Sequence, residues 1–449
     1  MSDEKRLSRA GLADLFAVGP RPAELVGVEV EHGLVDAATG LCIPYRAARR
    51  LLKAFVDEFD GAHFFDGEFP VGVDLPDGAS FSLETGGALE YASAPHATLS
   101  ATVEQTRGDL ERAARVAAGH GVALLSGATI PFTARRDIPW IPKPRVDIMR
   151  RYFRSLGAAG AYADEVMGLT LSTQTSLDYL STADLLEKVR LHVLAAPAVS
   201  ALFVNSPIAE GAETGALSRR MQYWRSFDPT RCGVIAAASR RDCSLSELID
   251  WSARLPMIYR SVGGTHVPAP AIPFATAVEQ GFGDGTWPTL DDWSLHLSQT
   301  WPHVRVRRTI EARACDGLPW PHFAAAPAMW VGLTYDPEAR RAAIALLESL
   351  TADQLDRATD EVAAKGLAAA IGPFSACELA RELLRLARGG LAARVTAGVE
   401  PPEVLSYLDP LERVCDTFQT MAEHTLSRWQ DGLAGSPQAY VAEFRIPVT

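Results

Sequence analysis

Lysine is scarce in this chain, which contains five lysines although lysine and arginine together number 43 among 449 residues. Almost all of the positive charge is therefore arginine, whose planar guanidinium binds carboxylates and phosphates through two parallel hydrogen bonds. Acidic residues number 55, and the net charge is −12. A nucleic-acid-binding protein usually carries a basic surface, so we expect no nucleic-acid partner and look for arginine pockets that bind small anions.

Long hydrophobic runs are also missing. No apolar stretch reaches the roughly 18 residues that a transmembrane helix needs, and the N-terminal segment MSDEKRLSRAGLADLFAVGPRP lacks the continuous apolar core of a secretory signal. The six cysteines are far apart and show no CxxC or Cys/His zinc spacing, so we expect reduced thiols. These absences predict a cytoplasmic protein with no membrane partner.

The common catalytic fingerprints are absent as well. The chain has no GxxxxGK[ST], HExxH or GxSxG motif, and the glycine-rich GFGDG at 281–285 lacks a strand-turn-helix context. We interpret GFGDG as a flexible turn. A P-loop nucleotide site and a serine nucleophile elbow are therefore excluded.

Alternating polar residues are what the sequence does contain. Over 304–314, VRVRRTIEARA, every second side chain of a strand lies on one face. The valine, isoleucine and alanine side chains then point into a core. The polar face carries one carboxylate among cations: Arg305, Arg307, Thr309, Glu311 and Arg313. We predict a strand whose face binds anions and a metal ion.

Three further segments, VGVEVEHG, SLETGGALEY and LTLSTQTSLD, place acids or amides on strand faces. Each alone is typical of a solvated sheet face, but together they favour a shared site. Carboxylate and amide oxygens suit Mg²⁺ or Mn²⁺ better than zinc. The residues concerned are Glu29, Glu31, Glu84, Glu90, Ser172, Gln174, Ser176 and Asp178.

The remaining pattern predicts one α+β domain over 1–449, with a core over 24–336 and a helical C-terminal region over 337–449. Antiparallel strands carry the site and helices pack outside. We expect a proline-stiffened loop before a helix that begins near Val146, and a loop-rich cover over 263–287. Helical periodicity predicts helices over 8–18, 44–59, 97–120, 181–195, 197–203 and 243–257, with Thr98 or Ser100 as the N-cap of the third.

Eight motifs in fixed order carry a resemblance to a known family. They are VEVEHG, SLETGGALEYASAP, DIPWIPKPRVDIMRRYF, STQTSLD, ALFVNSPIAEG, LSRRMQYWRSFD, IEARACDGLPW and MWVGLTYD. From about residue 26 to 336, the chain resembles the plant-type glutamate-cysteine ligase family, which includes actinobacterial enzymes of thiol biosynthesis. The resemblance implies a glutamine-synthetase-like antiparallel sheet that forms a metal-lined funnel for ATP and glutamate.

The resemblance also implies residue roles. Arg313 would steady the transferring phosphoryl group beside Glu311, and Gln174 and Ser176 would contact the nucleotide. Two or three Mg²⁺ ions, or Mn²⁺, would be bound by Glu29, Glu31, Glu84, Glu90, Gln174 and Glu311. Glutamate would be held by Arg145, Arg220, Trp320 and Thr98. For the two arginines a structural ion pair, and for the tryptophan a core position, remain alternatives.

The implied reaction starts with attack of the glutamate side-chain carboxylate on the γ-phosphate of ATP, and an amine then attacks the γ-glutamyl phosphate. This sequence departs from the family where Thr85 replaces proline, Ala88-Leu89 replace Gln-Phe and Ser176 replaces asparagine. Cysteine is the expected acceptor. Another small amino acid or amine in specialised metabolism is an alternative, as are a metal-dependent amidase or phosphohydrolase and a binding protein that retains the fold. We expect a monomer or homodimer.

Overall fold

The computed structural model describes residues 6–19 and 23–448. The predicted domain boundaries, 1 and 449, lie outside the described residues, as does part of the N-terminal segment discussed above. In the described part of the chain, no helix is both long and apolar enough to cross a membrane.

Within the described residues, nine strands form the main sheet, and four two-stranded ladders lie outside it. In chain order the strands are β1 Val26–Asp36, β2 Ala62–Asp66, β3 Phe69–Asp74, β4 Ser80–Leu83, β5 Ala88–Ala92, β6 Val122–Leu125, β7 Thr173–Leu177, β8 Ile208–Ala209, β9 Ala212–Glu213, β10 Cys232–Gly233, β11 Tyr259–Val262, β12 Thr265–Pro268, β13 Trp301–Pro302, β14 Val304–Val306, β15 Ile310–Ala312, β16 Ala370–Ile371 and β17 Phe374–Ser375.

The α-helices surround the sheet and make up most of the C-terminal region. They are α1 Tyr45–Phe59, α2 Leu99–Ala118, α3 Pro144–Ser155, α4 Ala163–Leu169, α5 Thr182–Phe203, α6 Arg219–Arg225, α7 Leu245–Ala253, α8 Phe274–Gln280, α9 Leu290–Leu297, α10 Ala325–Tyr335, α11 Pro337–Leu347, α12 Ala352–Lys365, α13 Ala376–Thr396, α14 Asp409–Thr417, α15 Met421–Arg428 and α16 Pro437–Phe444.

The main sheet has the order β14-β15-β7-β1-β5-β4-β3-β2, and β6 also pairs with β1. Every pairing within it is antiparallel. Strand β1 is central, since it pairs with β5, β6 and β7. Its residues Val26, Val28 and Val30 are buried in the core, while the intervening side chains face the other way. Helices α2 and α10 pack against this part of the sheet, which leaves the opposite face for the polar residues.

Several predicted helices are confirmed, since 44–59 corresponds to α1 and 97–120 to α2. Thr98 is the N-cap of α2, where its side chain accepts a hydrogen bond from the Ala101 amide at 3.2 Å. The predicted helix over 8–18 is a 3₁₀ helix, Ala10–Phe16. The predicted break near residue 196 is wrong, because α5 continues through Pro197.

The prediction of one strand over 304–314 is also wrong. The segment forms a tight hairpin of β14 and β15, with Arg305 directly opposite Glu311 in the register. Opposed residues in an antiparallel pair point to the same side, so the predicted polar face is retained although the strand is folded back. The loop-rich cover over 263–287 contains β12 and α8.

Candidate functional site

Neighbouring strands bring the predicted acids and amides side by side across the sheet. In the register, Glu29 of β1 lies opposite Gln174 of β7, and Glu31 lies opposite Glu90 of β5. Glu311 of β15 lies opposite Ser176 of β7. Because adjacent strands are about 4.8 Å apart, residues from four distant parts of the sequence form one polar surface.

A cluster of arginines surrounds Glu311 at one end of this surface. Arg305 makes a bidentate contact with its carboxylate, at 3.0 and 2.9 Å, and Arg307 lies 3.7 Å away. Arg313 donates hydrogen bonds both to Glu311 and to the side-chain oxygen of Gln174. Burial by itself raises the pKa of Glu311, but the guanidiniums of Arg305, Arg313 and Arg307 lower it to about 2. Glu311 is therefore ionised at neutral pH.

The acids of β1 and β5 have the opposite electrostatics. Burial, together with the charge of Glu311, raises the pKa of Glu29 to about 7 in spite of the nearby arginines. Burial and the charge of Glu84 likewise raise the pKa of Glu31 to about 7. The pKa of Glu90 is raised well above its usual value by burial and by four neighbouring carboxylates. This half of the surface has more negative charge than the protein itself neutralises.

These side chains, except that of Glu311, line a cavity of about 280 Å³. Its floor is the sheet, and its walls come from α3, α4, α6 and the segments that precede β14. The residues lining it include Glu29, Glu31, Glu84, Thr85, Glu90, Arg145, Met149, Thr170, Ser172, Gln174, Arg220, Trp224, Phe227, Tyr259, Ser298, Trp301, Arg305, Arg307 and Arg313.

Both arginines expected to hold glutamate line the cavity, and both are also in ion pairs. Arg220 lies 3.5 Å from the carboxylate of Asp316 and donates to the Arg313 carbonyl at 3.2 Å. Arg145 lies 3.9 Å from Asp66. The structural and the functional interpretations of these residues are therefore compatible.

Four residues with a predicted catalytic or binding role are not among the residues that line this cavity in the described part of the chain. One of them is Glu311, which the surrounding arginines contact instead. Trp320 packs on the core, with its ring stacked 5.4 Å from that of Phe323. Thr98 uses its side chain to cap α2. Ser176 faces the same way as Gln174, but it lies beside Glu311 rather than in the lining.

Sequence reasoning missed several residues of the site. Trp224, Tyr259 and Trp301 line the cavity, yet no alternation marks them. Lys143 is buried, and its ammonium group donates to the Leu83 carbonyl, directly before Glu84. The chain has only five lysines, so the presence of one in the proline-rich loop was the sequence signal that could have identified Lys143. Burial lowers the pKa of Lys143 to about 8.

A metal ion is compatible with this donor set. The oxygens of Glu29, Glu31, Glu84, Glu90 and Gln174 are hard ligands of the kind that Mg²⁺ prefers, and their mutual repulsion calls for a cation. Within residues 6–19 and 23–448, no three His, Cys, Asp or Glu side chains are already arranged as a metal-binding group. Side chains would have to converge around the ion.

A second cavity, of about 290 Å³, adjoins the first and is more apolar. Arg220, Trp224, Trp301 and Arg313 line both cavities. The residues that line only the second include Met221, Arg225, Cys232, Val234, Pro302, His303 and Asp356. These four side chains thus lie between a charged cavity and a more aromatic one.

Comparison with known proteins gives a consistent result. A family model described as glutamate-cysteine ligase family 2 matches residues 25–440. The chain is 30% identical over 427 residues to the chloroplastic glutamate-cysteine ligase of Brassica juncea, which covers 94% of this chain and 81% of that protein. It is 29% identical to the chloroplastic enzyme of Arabidopsis thaliana, over 94% of this chain and 80% of that protein.

Two solved structures have a similar fold. A glutamate-cysteine ligase from Francisella tularensis in complex with AMP gives a TM-score of 0.56 at 11% identity, with 94% of this chain and 88% of that chain covered. A bifunctional glutathione synthetase from Pasteurella multocida gives 0.53 at 14%, with 94% and 51% covered. At such identities the likeness concerns the fold, and the predicted α+β architecture is confirmed.

The expectation of a cytoplasmic protein is contradicted by these comparisons, because plant relatives such as those of Brassica juncea and Arabidopsis thaliana are named as chloroplastic. The predicted family and enzyme class are confirmed. With a family model that matches 25–440 and relatives about 30% identical along most of its length, the chain belongs to glutamate-cysteine ligase family 2 and is a carboxylate-amine ligase.

Proposed function

We propose that this enzyme uses ATP to join the side-chain carboxylate of L-glutamate to the amino group of L-cysteine. The observation that carries the proposal is the shared cavity, in which carboxylates that need a cation lie beside arginines that can bind anions. Joining two anionic reactants requires both kinds of group, because the repulsion between a carboxylate and a triphosphate must be offset.

The first step makes an acyl phosphate. A glutamate carboxylate oxygen attacks the γ-phosphorus of ATP, the bond to the β-γ bridging oxygen breaks, and ADP leaves. Arg313 is fixed by Glu311 and Gln174, so its guanidinium is oriented before the substrate arrives and can stabilise the charge on the transferring phosphoryl group. Arg305 and Arg307 keep Glu311 ionised and in place.

Bound Mg²⁺ would supply charge neutralisation between the phosphates and the glutamate carboxylate. The residues that would hold it are Glu29, Glu31, Glu84, Glu90 and Gln174. Glu311, the sixth predicted ligand, is engaged by Arg305 and Arg313 instead. In the second step the cysteine nitrogen attacks the acyl carbon, phosphate leaves and the amine loses a proton. No side-chain nucleophile is required.

The second cavity suits the nucleotide base. Its walls include Trp224, Trp301 and Val234, which offer aromatic and apolar surface. Arg313 lines both this cavity and the charged one. A base in this cavity would direct the phosphate chain towards Arg313. Gln174 then lies on the phosphate side, where its predicted contact with the nucleotide is possible.

The test of the reaction is ADP release by the purified protein with ATP, Mg²⁺ and L-glutamate against a panel of amino acids, with products identified by mass. We expect release to peak with cysteine and to yield γ-glutamylcysteine. A peak with another amine would mean that this amine, and not cysteine, is the acceptor. No stimulation by any acceptor would refute the proposal.

The test of the base pocket is Val234→Phe, which fills the second cavity. The KM for ATP should rise at least tenfold, while the KM for glutamate changes less than twofold. Ala236→Phe is the matched control, because Ala236 is exposed nearby and does not line this cavity. An unchanged KM for ATP in Val234→Phe would place the base elsewhere.

A further inference from the structure

Arg145 lies at the opposite end of the charged cavity from the Glu311 cluster. It is in the first turn of α3, and its charge interacts with Glu84, which follows β4. Four strand spacings separate β15 from β4 in the sheet order. The side chains of Arg313 and Arg145 both line the cavity over these strands, so a donor whose reacting carboxylate lies near Arg313 would have its other end on the Arg145 side.

Asp66, at the end of β2, faces the inner edge of this arginine. Its carboxylate oxygen lies 3.9 Å from Arg145 Nε, and only 11% of its side chain is exposed. An aspartate that packs against the Nε edge leaves the other donors of the guanidinium fork for a ligand in the cavity. No sequence pattern marked Asp66, and it lies 79 positions before Arg145.

A second hairpin, β11–β12, completes the surroundings. His266 Nδ1 lies 3.4 Å from the other Asp66 oxygen, and its ring meets that of Tyr259 edge-to-face, with centroids 5.0 Å apart. The Tyr259 side chain also interacts electrostatically with Arg145. The backbone of Tyr259 is itself held by the side chain of Gln299, which accepts from its amide at 3.2 Å and donates to its carbonyl at 2.8 Å.

Charge balance explains why this arrangement orients rather than neutralises the arginine. Burial lowers the pKa of His266, so the imidazole is neutral at pH 7 and does not compete with Arg145 for Asp66. Lys143 lies on the same side, with its ammonium group on the Leu83 carbonyl. The cations Arg145 and Lys143 thus lie near the carboxylates of Asp66 and Glu84, and the ion pair with Asp66 serves to orient the guanidinium.

We propose that Asp66, steadied by His266, is a positioning residue that turns Arg145 towards the α-carboxylate of the donor amino acid. The inference rests on the proposed function, in which glutamate is the donor. It predicts that the ion pair of Asp66 with Arg145 lets the enzyme select donors that have a free α-carboxylate. This ion pair lies away from the phosphoryl-transfer centre around Arg313.

The experiment compares Asp66→Asn with Asp74→Asn, a matched control on the next strand whose side chain is exposed. In Asp66→Asn we expect the KM for glutamate to rise about tenfold, equivalent to about 1.4 kcal/mol, with kcat and the KM for ATP within twofold of wild type. The α-amide of glutamate, which lacks the α-carboxylate charge, should inhibit Asp66→Asn and wild type equally. Asp66→Glu should restore part of the affinity for glutamate.

Other outcomes overturn the proposal. A lower KM for glutamate in Asp66→Asn would mean that Asp66 competes with the substrate for Arg145. Equal weakening of glutamate, its α-amide and ATP would indicate a structural role. If melting shows that Asp66→Asn is unfolded, the deciding variant is His266→Gln, which keeps the Asp66 charge. A two- to fourfold rise in the KM for glutamate alone would then support the proposal. An unchanged KM for glutamate would refute it. A wild-type enzyme without glutamate-dependent ADP release refutes the proposed function itself.

Discussion

Glu29→Gln should make the ligand-free enzyme more stable at alkaline pH. Burial and the charge of Glu311 raise the pKa of Glu29 from 4.5 to about 7, so the folded protein holds this proton more tightly than the unfolded chain does. Stability linked to this group is therefore fully present below about pH 4.5 and is lost as the pH rises through 7. Glutamine has the shape of the protonated acid and carries no charge at any pH.

The size of the effect follows from the shift in pKa. A change from 4.5 to about 7 corresponds to about 3 kcal/mol as an upper value. Unfolding entropy is about 2.1 cal/mol/K per residue, which over 449 residues converts this energy into a rise in Tm of roughly 3 °C. The assay is calorimetric melting in EDTA at pH 8.5 and pH 5.

Glu104→Gln is the control, because Glu104 is exposed on α2 and should change Tm at neither pH. The reasoning is refuted if Glu29→Gln lowers Tm at pH 8.5, or if it shifts Tm equally at both pH values. With Mg²⁺ added instead of EDTA, the wild type should have a higher Tm than Glu29→Gln. If Glu29 is a metal ligand, the ion stabilises the wild type more than the variant.

Three further predictions concern single side chains. Glu311→Gln should lower turnover at least a hundredfold with an unchanged circular dichroism spectrum, because this one carboxylate orients the surrounding guanidiniums. Near-normal activity would contradict the assignment of Glu311 to the site. Arg313→Lys should lower kcat by about a hundredfold and leave the KM for glutamate within threefold, because lysine cannot bridge Glu311 and Gln174; a change in KM alone would assign it to glutamate binding. Thr98→Ala should cost about 1 kcal/mol of stability by removal of a helix cap and leave the KM for glutamate unchanged, whereas a rise in that KM would restore its predicted substrate role.

Local features of the fold were predictable from short segments. The alternation of Val26, Val28 and Val30 with polar residues predicted the two faces of β1 correctly, because a strand has a period of two. Thr98 or Ser100 was predicted as the cap because threonine or serine before an apolar run satisfies a free amide at a helix start, and the structure has Thr98 in that position. The turn within 304–314 was not predicted, since alternation continues unchanged across a hairpin whose paired residues share a face.

The sequence by itself determined which side chains would share a polar face, and its eight motifs determined the family. Only the tertiary structure decided which strands are neighbours, and therefore that Glu31 faces Glu90 and that Arg313 reaches Gln174. It also decided that Asp66 meets Arg145 and that an aromatic cavity opens beside the charged one. The physical reason is that periodicity acts over a few residues, whereas strand order and the meeting of distant hairpins depend on how the whole core packs.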